Sequence, residues 1–99
     1  MRILVIEDDR KVANFIASGL GQEGYAVDVL HEGTDAGAQA VAYDYDAVVL
    51  DLMLPGRSGF QVLRDIRARK ATLPILILTA RTRWKNASPG STAAPTTTW

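Results

Sequence analysis

Apolar residues recur along this chain in two alternating rhythms. Ile3, Leu4, Val5 and Ile6 are consecutive aliphatics closed by Glu7, Asp8 and Asp9, so "ILVIEDD" (3–9) predicts a buried strand running into an acidic loop. From Arg10 the rhythm changes. Val12, Phe15, Ile16 and Leu20 fall at helical spacing and predict one apolar helix face. Asp9 suits the N-cap of that helix, and Gly21 to Gly24 end it. "YAVDVL" (25–30) alternates, which predicts a strand with a partly exposed face near a sheet edge. Thr34 to Tyr43, rich in alanine, predicts a second helix, and "AVVLD" (47–51) a third strand. Ser58 with Gln61 three residues on matches a capping box, opening a third helix whose buried face is Val62, Leu63 and Ile66. Pro74 then introduces "ILIL" (75–78), a fourth buried strand that ends in Thr79.

Strands alternating with helices predict an α/β fold: an open parallel sheet with helices on both faces. At 99 residues the chain makes one small domain at most. Eleven basic residues balance eleven acidic ones, so overall charge points neither to nucleic acid nor to a membrane surface. The absence of cysteine removes disulfides, thiolate nucleophiles and cysteine-ligated zinc together. The single histidine, His31, reads as a plain surface residue. No apolar run approaches the roughly 20 residues that span a bilayer, and no signal peptide is visible, so a cytoplasmic protein is expected.

In open α/β sheets the working groups gather at the carboxyl ends of the strands. Strand one ends in Glu7, Asp8 and Asp9, strand three in Asp51 and strand four in Thr79. Adjacent strands one and three would bring carboxylates from both into one crevice. Clustered carboxylates repel one another and cost stability unless a cation joins them. A small set of oxygen ligands suits Mg²⁺, and a metal there would favour a phosphoryl group as the anionic partner. A carboxylate can attack such a group to give an acyl phosphate, and Thr79 could donate a hydrogen bond to it. The plainer role for these acids is capping of helices and loops. It fits Asp9; Asp8 and Asp51, each at the end of a buried strand, fit a site. "GLGQEG" (19–24) has the dinucleotide-binding spacing, but it ends a helix and enters a strand, the reverse of that motif's context.

"ILVIEDD", "DLMLPGRSGF" and "PILILTAR" together resemble the receiver domain of two-component response regulators, most closely the OmpR/PhoB-like branch. The resemblance covers Met1 to Arg81. It implies a flavodoxin-like receiver fold, with strand order 2-1-3-4 followed in the family by a fifth strand. It also implies that Asp51 is the phosphoacceptor for a sensor histidine kinase. Glu7 and Asp8 would be the acidic pair for Mg²⁺, Asp51 would also ligate the metal, Met53 would offer its backbone carbonyl to it, and Thr79 would be the switch hydroxyl. Ala80 would leave room for that hydroxyl's movement. Contact with DNA is then expected only through a C-terminal domain that this chain lacks, and the module itself is expected not to be an enzyme.

The resemblance stops at Arg81. "TRWKNASPGSTAAPTTTW" (82–99) has no helical or strand period and is dominated by small polar residues, Ala and Pro. A receiver domain should continue with a fourth helix, a fifth strand carrying a lysine-proline pair and a fifth helix, so the expectation is a partial receiver domain over 1–81. With third bases chosen freely, the tail can be back-translated so that a one-base shift gives a typical receiver continuation. The expectation that follows is a single-base deletion near the Arg81 codon, which sequencing of the gene would test. A chain so truncated would have impaired signalling or survive as a non-signalling interaction module; an aspartyl-nucleophile phosphatase fits less well, because Met53 stands where a second acid would be needed. Without a fifth strand, "ILIL" becomes an uncovered edge that invites pairing. The expected outcome is a homodimer or higher self-association in sedimentation at high concentration; a clean monomer there would contradict it.

Overall fold

Seven elements alternate along residues 1–78, the part of the chain that the computed structural model describes: β1 (Arg2–Ile6), α1 (Arg10–Gln22), β2 (Ala26–Leu30), α2 (Ala36–Ala42), β3 (Ala47–Asp51), α3 (Gly59–Arg69) and β4 (Ile75–Leu78). The strands form one parallel sheet in the order β2-β1-β3-β4. In the centre Leu4 lies opposite Asp28 on one side and Val48 on the other, and Leu50 lies opposite Ile77. This is the predicted α/β architecture and strand order.

Both faces of the sheet are covered, which is why its central strands read as unbroken apolar runs. One face carries Leu4, Ile6, Val48, Leu50, Ile75 and Ile77 against α2 and α3, where Ala36, Ala40, Val62 and Ile66 complete the layer. The other carries Ile3, Val5 and Val49, with α1 supplying the half-buried Ile16 and Leu20. Strand β2 is the half-buried edge that its alternation predicted.

α1 departs from the sequence expectation. Ala13 is its buried residue, while Phe15 is 81% exposed and Val12 36% exposed. At about 100° per residue, Ala13, Ile16, Ala17 and Leu20 make a continuous stripe, and Phe15 falls roughly 150° from its centre. The expected face had the right period but was rotated toward the larger side chains. The ends of α1 follow the sequence. Asp9 caps the start, its carboxylate accepting from the N–H groups of Lys11 and Val12. At the other end Gly24 adopts φ +92°, Tyr25 N–H donates to Leu20 O at 3.2 Å and Gly24 N–H to Gly21 O at 3.0 Å. That paired pattern is a Schellman stop, so "GLGQEG" closes a helix, the reverse of the strand-to-helix turn that the dinucleotide motif needs.

α2 is shorter than the expected 34–43. It begins at Ala36, after Asp35, whose carbonyl accepts from Gln39 N–H but whose side chain makes no cap bond, and it ends before Tyr43, whose backbone is extended. Lys70 ties down that end by donating from Nζ to Ala40 O and Tyr43 O at 3.1 and 2.8 Å. α3 has the predicted capping box between Ser58 and Gln61. At the amino end of the sheet, Arg2 pairs with Asp28 at 3.0 Å, and the buried Tyr45 donates its hydroxyl to the same carboxylate at 2.7 Å. Among the described residues no helix is long and apolar enough to cross a membrane.

The rotated α1 face yields a contrast measurable by urea denaturation. Ile6→Ala, at a fully buried position, should cost about 2–5 kcal/mol, and Phe15→Ala no more than about 0.5 kcal/mol. A large loss for Phe15→Ala would contradict the assigned face.

Candidate metal and phosphoryl site

β1 and β3 are hydrogen-bonded neighbours in register from Ile3↔Ala47 to Ile6↔Leu50, so both chains leave the sheet side by side. Asp51 is the last residue of β3, and Glu7 and Asp8 are the first two after β1. Each of the three offers a carboxylate oxygen, and these oxygens lie within 4.8 Å of one another. Glu7 and Asp51 are 4% and 3% exposed, whereas Asp8 is half-buried. A hydrophobic strand thus ends in a buried acid at two adjacent positions.

The electrostatics follow from that placement. Burial pushes the Glu7 carboxyl up to about 8, and the hydrogen-bonded neighbours Asp8 and Asp51 add to the rise. The Asp9 N–H, which donates to Glu7 Oε2 at 2.9 Å, opposes it. Asp51 Oδ1 accepts from the N–H of Met53 at 3.0 Å, which fixes the carboxylate relative to the loop that follows. Two buried carboxyls and a half-buried third within one ion's reach are the donor set of a hard cation, which would remove the repulsion. The residues present therefore fit Mg²⁺.

Of the residues expected at the site, Glu7, Asp8 and Asp51 come together, and Asp9 stands apart as the α1 cap. Met53 follows two residues after Asp51, 57% exposed and with its N–H engaged with the Asp51 carboxylate. Thr79 and Ala80 lie outside the described residues, as does the 82–99 segment. His31 corrects the expectation of a plain surface residue. It is half-buried, and its Nδ1 lies 3.0 Å from the backbone oxygen of Glu7. A carbonyl can only accept, so Nδ1 carries the proton and donates. Its position directly after β2, at the same end of the sheet as the acids, is the signal that could have found it.

Comparison with known proteins shows the family and the fold. Residues 3–93 match the response regulator receiver domain family. The transcriptional regulatory protein TcrA of Mycobacterium tuberculosis is 47% identical over 81 residues, which cover 82% of this chain and 32% of that protein. The chain thus spans about a third of the length of that relative. The response regulator TrrA of Thermotoga maritima, solved in complex with Mg²⁺–BeF, superposes with a TM-score of 0.76 at 34% identity, covering 86% of this chain and 74% of that one. A response regulator from Burkholderia pseudomallei, solved with a phosphorylated aspartic acid and a calcium ion, gives 0.70 at 31% identity, covering 78% and 45%.

The raised Glu7 carboxyl gives a pH prediction for the metal-free protein. Its ordinary value is 4.5 and its folded value about 8, so folding takes up a proton between them. The stability this proton contributes is complete below the ordinary value and is lost as pH rises through about 8. Urea denaturation in EDTA should therefore show stability falling from about pH 4.5 to about pH 8 and levelling off above that. Asp51→Asn should flatten the fall and raise stability at the alkaline end. A wild-type profile level across that range would contradict the clustered-acid description.

Proposed function

The chain belongs to the response regulator receiver domain family, and from that premise we propose that it accepts a phosphoryl group on Asp51 from a sensor histidine kinase in a Mg²⁺-dependent phosphorelay. The observation that carries this is the convergence of Glu7, Asp8 and Asp51 at the carboxyl ends of β1 and β3. Relatives named as transcriptional regulators, together with their greater length, support a parent protein that controls transcription through a further domain.

In this proposal Asp51 is the nucleophile. One of its oxygens forms a P–O bond to the phosphorus of a phosphohistidine as the P–N bond breaks; the imidazole leaves with the bonding pair and regains its proton from solvent. The product is an acyl phosphate on Asp51. The N–H of Met53 holds Oδ1 and orients the carboxylate for attack. Glu7, Asp8 and Asp51, with the Met53 carbonyl, would hold the metal, and Thr79 would donate to the transferred group. When bound, Mg²⁺ supplies charge compensation for the equatorial phosphoryl oxygens. Near-complete burial of Asp51 keeps bulk water from its carboxylate and strengthens every charge interaction there.

Incubation with Mg²⁺ and acetyl phosphate, read by intact mass, should give one phosphoryl adduct. The adduct should be absent from Asp51→Asn and from EDTA-treated samples. An adduct that persists in Asp51→Asn, or none on the folded parent chain, would overturn the proposal.

A further inference from the structure

We propose that the loop between β2 and α2 is the positioning element of the acid site, with His31 and Gly33 setting the separation between the Glu7 and Asp51 sides of the crevice. The inference rests on the metal-binding role given above to Glu7, Asp8 and Asp51. It starts from a topological oddity. β2 is an edge strand that neighbours β1 and does not touch β3, yet its following loop makes hydrogen bonds to the loops after both.

On the β1 side the peptide around Glu7 is held at each end. Its N–H donates to Leu30 O at 2.9 Å, and its carbonyl accepts from His31 Nδ1 at 3.0 Å. On the β3 side Gly33 N–H donates to Pro55 O at 3.2 Å, across to the loop that carries Met53. The approach is close enough to demand glycine. Gly33 is buried, and a Cβ there would stand 1.8 Å from Arg57 O, a backbone atom that cannot swing aside. The facing loop answers with its own glycine: Gly56 has φ +75°, and a Cβ on it would lie 2.4 Å from Thr34 Oγ1. Arg57 in turn is fixed to α3 by a two-pronged pair with Asp65 at 2.6 and 3.0 Å.

The β2–α2 loop therefore passes over the end of β1 and joins the two halves of the crevice. A small cation needs ligands from both halves at one spacing, and residues behind the ligands set that spacing. His31 and Gly33 are positioning residues here: neither supplies a carboxylate to the cluster. If the contacts served packing alone, their loss would lower stability and leave the Mg²⁺ affinity of the folded protein unchanged.

Calorimetric titration with Mg²⁺ alone, on the full chain well below its melting temperature, separates these roles. His31→Ala and Gly33→Ala should each weaken binding about tenfold or more, the range typical of groups behind metal ligands. His31→Asn, which places an amide N–H at the same distance along the side chain, should restore most of the affinity. Gly19→Ala, where a Cβ meets nothing within 4 Å, should change nothing. Should Gly33→Ala fail to fold, the His31 pair decides. Wild-type affinity in His31→Ala, or failure of Asn to recover a loss, would overturn the inference alone. A wild-type protein that binds no Mg²⁺ would overturn the proposed function and this inference with it.

Discussion

Mutual repulsion among Glu7, Asp8 and Asp51 is the constraint around which this structure is arranged. Two of the three are buried, Glu7 just after β1 and Asp51 at the end of β3, strands that are otherwise aliphatic apart from Arg2. Burying a carboxylate is costly unless a partner stabilises its charged form. The fold concentrates that cost at one end of the sheet, and Glu7 responds by keeping its proton to about pH 8. A site so placed is poised for a cation: what destabilises the metal-free protein becomes affinity when the charge is compensated.

The opposite end of the sheet handles an acid differently. Asp28 lies on the edge strand, and the Tyr45 hydroxyl and the Arg2 guanidinium hold its carboxyl below the usual range. That carboxylate ties β1, β2 and the segment before β3 together, and it is exposed enough for its charge to be cheap. The same residue type thus staples one end of the sheet and loads the other. The difference lies in burial and in the sign of the nearest groups. Between the two ends the aliphatic layers on both faces supply the stability against which the acid cluster is set.

Much of this was legible in the sequence because the signals were local. Apolar runs closed by acids marked β1 and β3, Asp9 and the Ser58–Gln61 pair marked helix starts, and the strand-end rule put Glu7, Asp8 and Asp51 together. The buried face of α1 was misjudged because Phe15 and Val12 outweighed Ala13 in the pattern, although alanine sits closest to the sheet. The His31 hydrogen bond, signalled only by that residue's place at the acid end of the sheet, and the interlock of Gly33 with Gly56 are not patterned in the sequence. They arise from one loop crossing over a strand to reach another, and no periodicity encodes a contact between positions so far apart in the chain. The start of α2 at Ala36 was missed too; Asp35 precedes it without a side-chain cap bond that would mark the boundary.

The most direct test of the central claim is the melting temperature in Mg²⁺ against NaCl of equal ionic strength. A ligand that binds only the folded state at a hundredfold excess over its Kd adds about 2.7 kcal/mol. The account predicts a clear rise with Mg²⁺ beyond that in NaCl, lost when Asp51 is replaced by Asn. Equal melting temperatures in the two salts would contradict a cation-seeking crevice at the ends of β1 and β3.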